Sequence, residues 1–240
     1  KEARRIMSGI LDEKLDPAAT DLESMIMRIE LGSHLDRFIE RERGMRPQFE
    51  PYQLEWGFGI CDGKPGGRYD EETMLKFDEV KLCGRIDRVD VRKGTNQAIV
   101  IDYKTSVDAN LPPRKHFERT GTIQVPLYML ALREIWGLEP VGGEYYGIVG
   151  KRRRGFYLNE FADMLGKDSG EPYPGEFVEA EVFEEIIKTA RRLALEAAQG
   201  IRAGCFDCKP REESTCDYCK LGGVCCVASL PPSPAGSAQS

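Results

Sequence analysis

The chain has 240 residues, 41% of them hydrophobic, and a formal net charge of −6 at pH 7. This length and apolar content allow a buried core and predict one domain with appendages, or at most two domains. No run approaches the roughly 18 apolar residues of a membrane span, and no signal-type apolar segment follows the N-terminal residues, so we expect a cytoplasmic protein. The acidic charge argues against extensive wrapping of nucleic acid, but it permits an acidic site with a basic rim.

The first part of the sequence predicts a helix followed by a strand. Apolar residues recur at helical spacing over residues 21–43, which predicts an amphipathic helix that stops before Gly44. Aromatic and β-favouring residues over 49–59 predict a strand, and the Gly-rich, charged segment 62–72 predicts a loop.

A β-hairpin is predicted in the middle of a sheet. Residues 80–91 are strand-like, residues 93–96 have turn chemistry, and residues 98–101 are a short apolar run suited to a buried strand. Residues 106–121 contain two prolines and several charges, which predict a loop.

The second half of the chain predicts two helices around a strand. Thr122 is suited to cap a helix that runs to Trp136. Residues 142–149 predict a strand, residues 151–154 a basic turn, and residues 178–203 a long helix.

Charged residues follow the apolar strand of the predicted hairpin. Because alternate side chains of a strand face the same side, Asp102 and Lys104 project together, with Tyr103 opposite. Hairpin pairing would bring Asp87, on the preceding strand, close to Asp102. Paired carboxylates suit Mg²⁺, and a nearby lysine suits the charge that develops in phosphodiester hydrolysis. Taken alone, the Asp-x-Lys triplet is more typical of a surface ion pair at a strand end.

Two polar residues of the following helix add to this set. Gln124 and Tyr128 are four positions apart and therefore share one helix face. Taken alone, such a pair is also typical of a solvated helix edge.

Three segments together, residues 84–90, 101–105 and 124–128, resemble in order and spacing the RecB-type branch of the PD-(D/E)XK nucleases. The resemblance implies a restriction-endonuclease-like α/β core, in which a mixed central sheet is flanked by helices. It extends more loosely from Glu55 to Gly222.

The resemblance also implies roles for the site residues. Asp87 and Asp102 would bind the catalytic Mg²⁺ or Mn²⁺, and the backbone carbonyl of Tyr103 would join them. Lys104 would position or activate the attacking water. Further candidates are Gln124 and Tyr128 as residues that line the site, and Glu55 as another metal ligand.

A function follows from the same resemblance. It implies Mg²⁺-dependent cleavage of DNA, as an exonuclease. The likeness to AddB-type nuclease domains implies a helicase–nuclease subunit that acts in double-strand-break repair and recombination, with DNA and an AddA-like subunit as partners and no membrane. The alternative is a catalytically inactive nucleic-acid-binding module with a structural zinc or iron–sulfur site.

Six of the eight cysteines fall between Cys205 and Cys226, which indicates a metal or a metal–sulfur cluster rather than a disulfide scaffold. Cys216, Cys219 and Cys225 resemble the iron–sulfur staple of AddB-type domains and of CRISPR-adaptation nucleases. There, three late cysteines join an early one around a [4Fe–4S] cluster, which implies a structural role.

The fourth ligand of this cluster is left open, because no cysteine precedes Cys61, which lies in a Gly-rich segment. Related enzymes also carry a histidine before the first acidic motif, and His34 comes too late for it. A chain that starts inside a longer protein, with both residues upstream of Lys1, would explain the two gaps. Free thiols are one alternative to the cluster, and the other is a zinc site of four thiolates. Its ligands would be Cys205, Cys208, Cys216 and Cys219.

Three parts are predicted along the chain. We expect an N-terminally truncated nuclease core over residues 1–203, an iron–sulfur segment over 204–228, and a disordered tail over 229–240, where apolar surface is scarce.

Basic and aromatic residues of the predicted loop 106–121 could contact phosphates and stack on bases. These residues are Arg114, Lys115, Phe117 and Arg119. The turn 151–154 offers a second basic patch, and an ordinary solvated loop is equally compatible with both segments.

Overall fold

The computed structural model describes residues 2–15, 21–43, 48–60, 69–105, 122–149, 153–165 and 176–205, together with Cys216, Cys219 and Cys225. The helices are α1 (Glu2–Lys14), α2 (Leu22–Glu42), α3 (Gln124–Trp136), α4 (Ala162–Leu165) and α5 (Ala180–Arg202), with a 3-10 turn at Asn159–Phe161. The strands are β1 (Phe49–Phe58), β2 (Leu75–Phe77), β3 (Val80–Leu82), β4 (Gly84–Arg92), β5 (Gln97–Lys104), β6 (Glu139–Gly147), β7 (Arg153–Leu158) and β8 (Phe177–Val178).

A six-stranded mixed sheet has the order β1-β4-β5-β6-β7-β8, and β2 pairs with β3 apart from it. The pairs β1/β4, β4/β5 and β6/β7 are antiparallel, whereas β5/β6 and β7/β8 are parallel. Helix α3 provides the crossover that the parallel pair β5/β6 requires. The predicted hairpin is therefore confirmed as β4 and β5, inside the sheet.

Apolar side chains cover both faces of this sheet. On one face, Val100 packs in a cluster with Val125 and Met129 of α3 and Phe183 of α5. On the other face, Ile99 and Ile101 pack in a second cluster, against which Phe38 of α2 also packs. The expected α/β architecture, a mixed sheet flanked by helices, is confirmed.

The bounds of α2, β1 and α5 agree with the predicted segments within two residues. The strand predicted over 80–91 is interrupted at Cys83, because β3 pairs with β2 while β4 enters the main sheet. Helix α1 is an addition to the prediction. Arg4 joins it to Asp36 and Glu40 of α2.

The prediction that Thr122 caps the following helix is wrong. Helix α3 begins at Gln124, its N-cap position is Ile123, and no side chain at that position bonds the helix amides. Instead, the hydroxyl of Tyr145 accepts a hydrogen bond from the Val125 amide at 3.3 Å. A residue of the neighbouring strand thus satisfies one of the amides that a helix start leaves without an intrahelical partner.

The prediction of a basic turn over residues 151–154 is also wrong for the last two of these residues. Arg153 and Arg154 belong to β7, where their exposed fractions are only 4% and 9%. Arg153 pairs with Glu144, and Arg154 pairs with Glu176. Neither guanidinium is therefore available to a DNA phosphate. In the described part of the chain, no helix is long and apolar enough to cross a membrane.

Candidate active site

Strands β4 and β5 bring the two acidic motifs side by side. The regular pairing of these strands extends to Arg88 and Ile101. One step further, the Asp87 carboxylate accepts a hydrogen bond from the Tyr103 amide at 2.7 Å. This bond holds Asp87 next to the end of β5, where Asp102 lies.

Asp102 is a buried carboxylate, with 1% of its surface exposed. The ammonium of Lys104 lies 2.5 Å from its Oδ2 atom, and this buried oxygen has no directional hydrogen bond from the described residues. Burial raises the pKa of Asp102 above its ordinary value. Lys104 opposes this shift, and the charge of Asp87 adds to it.

Helix α3 holds the lysine from its other side. The Nζ atom of Lys104 donates to Gln124 Oε1 at 3.0 Å, and Gln124 Nε2 donates to the Tyr128 hydroxyl at 2.9 Å. Burial raises the pKa of Tyr128, so its hydroxyl stays protonated at neutral pH. The structure thus brings Asp102 and Lys104 of β5 together with Gln124 and Tyr128 of α3.

Tyr145 is a site residue that sequence reasoning missed. It pairs with Asp102 in the parallel ladder of β5 and β6, and Lys104 Nζ lies 5.8 Å from the centre of its ring. Its hydroxyl contacts the start of α3, as described above. Burial raises the pKa of Tyr145, which keeps this hydroxyl neutral. Only the β5/β6 register could have identified Tyr145 in advance.

The donor set of this site fits a hard divalent cation. Asp87 and Asp102 offer carboxylate oxygens, which Mg²⁺ prefers, and the buried Asp102 Oδ2 already lies against a positive charge, the Lys104 ammonium. Across the described ranges, no three His, Cys, Asp or Glu side chains come together as a metal site. Because Mg²⁺ usually keeps several waters, two carboxylates are sufficient protein ligands.

Glu55, the further candidate ligand, does not join Asp87 and Asp102 in a three-residue group within the described ranges. It lies exposed on β1, with a backbone φ of 51°, and its carboxylate is 3.4 Å from Arg85 Nη1. His34 contacts its helix neighbour Arg37 at 2.7 Å.

The cysteine segment is described at only a few positions. Cys205, Cys216 and Cys219 are free thiols, and the Cys219 amide donates to the Cys216 carbonyl at 3.2 Å. These described cysteines do not assemble as a metal site. Further predicted features lie outside the described residues: Cys61, Cys208, the DNA-contact candidates Arg114, Lys115, Phe117 and Arg119, and the tail 229–240.

Known proteins resemble this chain along most of its length. It is 26% identical, over 287 residues, to one subunit of the ATP-dependent helicase/deoxyribonuclease of Desulforudis audaxviator (strain MP104C). The match covers 95% of this chain and 24% of that protein, so the chain spans about a quarter of its relative's length. A solved structure titled "Crystal structure of SSO0001" is similar over 96% of this chain and 98% of that one, at 17% identity and a TM-score of 0.34.

The family assignment depends on a match along nearly the whole chain. Residues 2–226 match the family model of the PD-(D/E)XK nuclease superfamily. The mixed sheet with flanking helices is the restriction-endonuclease-like architecture of that family, and the likeness to a helicase/deoxyribonuclease subunit supports the RecB-like branch. The chain therefore belongs to the PD-(D/E)XK nuclease superfamily.

Proposed function

We propose that this chain is a Mg²⁺-dependent deoxyribonuclease domain that hydrolyses DNA phosphodiesters, as an exonuclease. One observation supports the proposal most directly. A continuous series of contacts runs from Asp102 through Lys104 and Gln124 to Tyr128, and Asp87 lies beside its acidic end.

Each residue of this series has a role in the proposed chemistry. Asp87 and Asp102 would hold the cation, and Tyr103 would contribute its backbone carbonyl. When bound, Mg²⁺ supplies polarisation of the phosphate and lowers the pKa of a bound water. Lys104 positions the attacking water and balances the negative charge that develops on the phosphate oxygens. Gln124 holds the Lys104 ammonium, and Tyr128 fixes which way the Gln124 amide points.

We propose the wider context from the likeness to a helicase/deoxyribonuclease subunit. The nuclease core, residues 1–203, would be one domain of a helicase–nuclease subunit that processes double-strand breaks. Its partners would be DNA and an AddA-like subunit. Copurification with such a subunit, and DNA degradation that depends on ATP only in the assembled complex, would test this context.

We also propose that three cysteines of the segment 204–228, Cys216, Cys219 and Cys225, bind a structural [4Fe–4S] cluster together with one ligand from outside this segment. Their spacing supports this proposal, since thiolates hold such clusters. Zinc bound by four thiolates is the alternative. Brown protein with iron and sulfide after anaerobic purification is expected, and colourless protein with one bound zinc would contradict the cluster.

The nuclease proposal is tested by cleavage of end-labelled single-stranded and double-stranded DNA, with Mg²⁺ or with EDTA. The informative variant is Lys104→Ala. Its matched control is Lys93→Ala, at the other end of the same hairpin, where the ammonium is 3.3 Å from the exposed Glu50 carboxylate.

We expect the wild type and the control to cleave DNA in Mg²⁺, and Lys104→Ala to lose activity by about 10² to 10³, as when one charge-stabilising donor is removed. Equal activity of Lys104→Ala and Lys93→Ala would contradict the role of Lys104. A folded wild type that binds DNA and cleaves none, with Mg²⁺ or Mn²⁺, would favour a binding module.

A further inference from the structure

A buried arginine lies on the sheet face opposite the catalytic carboxylates. Arg88 has 7% of its surface exposed. It forms a two-pronged ion pair with Asp90, with contacts of 2.5 Å and 2.8 Å. Its Nη1 atom also contacts Glu42 of α2 at 2.5 Å and the Tyr103 hydroxyl at 3.2 Å. Three elements, α2, β4 and β5, therefore meet at one guanidinium.

This arginine is connected to the active site through Tyr103. Asp87 and Arg88 are consecutive residues of β4, and both bond Tyr103 of β5. The Asp87 carboxylate binds its amide, and the Arg88 guanidinium binds its hydroxyl. Tyr103 lies between Asp102 and Lys104 in the sequence. Where the regular pairing of β4 with β5 ends, these two bonds continue to hold the strands together.

The geometry suits positioning rather than substrate contact. Because Arg88 is buried and holds two carboxylates, it is not accessible to a DNA phosphate. A guanidinium presents its donors in a rigid planar fork, so the pair with Asp90 fixes its orientation toward Tyr103. Lysine has no such fork and could not bond Asp90 at two points and Tyr103 together.

We infer that Arg88 is a positioning residue of the metal site, which sets the separation of the Asp87 and Asp102 carboxylates by holding Tyr103. The inference rests on the proposed nuclease function. Replacing a residue that orients a metal ligand without contacting the metal itself typically weakens metal affinity about 10-fold or more. Arg88 therefore acts on the affinity for the cation, whereas Lys104 acts on the chemical step.

The test compares two tyrosines of the same sheet face. Tyr103→Phe removes the hydroxyl that bonds Arg88 and keeps the ring, which packs 5.9 Å from Phe38. Tyr146→Phe is the matched control, because its ring also packs on Phe38 and its buried hydroxyl has no hydrogen-bond partner among the described groups. Arg88→Lys tests the arginine itself while it keeps the charge.

Two quantities are measured: Mn²⁺ binding without DNA, by electron paramagnetic resonance, and the Mg²⁺ concentration that gives half-maximal cleavage. Mn²⁺ binding that persists in the Asp102→Asn variant belongs to other sites and is subtracted from each measurement. We expect Tyr103→Phe and Arg88→Lys to weaken Mn²⁺ binding about 10-fold and to raise the half-maximal Mg²⁺ concentration by the same factor. Without metal, both variants should unfold at a lower temperature than Tyr146→Phe, because they lose hydrogen bonds at a buried guanidinium, so Mn²⁺ binding is compared well below their unfolding temperatures.

Mn²⁺ binding by Tyr103→Phe as tight as that by Tyr146→Phe would overturn the inference and leave the nuclease proposal intact. A loss of kcat at saturating Mg²⁺ without a change in Mn²⁺ binding would also overturn it. If the wild type neither binds Mn²⁺ at Asp102 nor cleaves DNA, this result would instead contradict the proposed nuclease function.

Discussion

Lys104 forms an ion pair with Asp102, two residues before it on the same strand, and the same ammonium donates to Gln124 on helix α3. A strand and a helix therefore hold one cation from two sides. The lysine side chain is 38% exposed, whereas the Asp102 side chain is 2% exposed, so the ammonium lies between a buried carboxylate and solvent. A group in this position can reach a phosphate without leaving its acidic partner.

Gln124→Ala removes the helix side of this contact. We expect kcat to fall about 10- to 100-fold, because a hydrogen bond to a charged group contributes about 1.5 to 3 kcal/mol, while the half-maximal Mg²⁺ concentration stays unchanged. Single-turnover cleavage at saturating Mg²⁺ measures the effect. Glu134→Ala, an exposed position of the same helix, is the control. Full activity of Gln124→Ala would show that Lys104 needs no support from α3.

Asp102→Asn should stabilise the metal-free protein at neutral pH. Burial raises the pKa of Asp102, so the folded state binds the proton more tightly than the unfolded state does. Stability therefore falls as pH rises from the unfolded value, about 4, through the raised folded value. Because an asparagine side chain does not ionise, the variant lacks this pH-dependent loss of stability. Lys104 is half-exposed, so its ammonium remains solvated when its acidic partner is replaced.

Thermal unfolding in EDTA across the acid-to-neutral range measures this difference. We expect Asp102→Asn to melt higher than the wild type at neutral pH, and the gap to narrow as pH falls. Mg²⁺ should raise the melting temperature of the wild type alone. A lower melting temperature of the variant at neutral pH would mean that Lys104 outweighs the cost of burial.

Sequence patterns were sufficient where the determining contacts are local. Alternation along β5 placed Asp102 and Lys104 on one face, and the turn residues 93–96 identified the hairpin that carries Asp87. The interval of four positions placed Gln124 and Tyr128 together. These features depend on neighbours within one element or one turn. The periodicity of side chains along a strand or helix, and the residue types of a turn, predict such neighbours directly.

Contacts between distant segments could not be predicted in this way. Glu42 is 46 positions from Arg88, and Tyr145 is 20 positions from the amide that it binds. Arg153 stands in a local run of positive charge that is typical of a solvated turn. Its partner Glu144 becomes adjacent only when β6 pairs with β7. In each case the tertiary partner, absent from the local pattern, determines the environment.

Arg153→Ala should destabilise the fold. It leaves the Glu144 carboxylate buried without its cation, and breaking such a pair costs about 3 to 5 kcal/mol. Urea denaturation measures the loss. Arg192→Ala is the control, since its exposed pair with Glu196 on α5 contributes only about 0.3 to 0.5 kcal/mol. Equal stabilities of the two variants would contradict the buried pair.

Charge reversal in the segment 106–121 tests the proposed DNA contact. Arg114→Glu with Lys115→Glu should weaken DNA binding and reduce its salt dependence, because each lost phosphate contact lowers the number of counterions released. Binding at several salt concentrations measures both effects. Reversal of the exposed, ion-paired Lys81 on β3 is the control. An unchanged salt slope would exclude these two residues from the interface.

Gly155→Ala should disrupt the sheet beside the active site. Gly155 lies opposite Glu144 in the β6/β7 ladder, and an added Cβ would be 2.8 Å from the Glu144 Cα. Because backbone atoms of a paired strand cannot move aside, we expect a loss of several kcal/mol and, through the shift of Tyr145 on β6, a loss of nuclease activity. Gly200→Ala on α5 meets nothing within 4 Å and should instead stabilise the protein by about 0.5 to 1 kcal/mol. Urea denaturation measures the change in the free energy of unfolding of both variants. Changes of opposite sign, from the same Gly→Ala substitution, would show that the close approach of β6 and β7 constrains position 155. A stable and active Gly155→Ala would instead mean that the two strands lie further apart at this position.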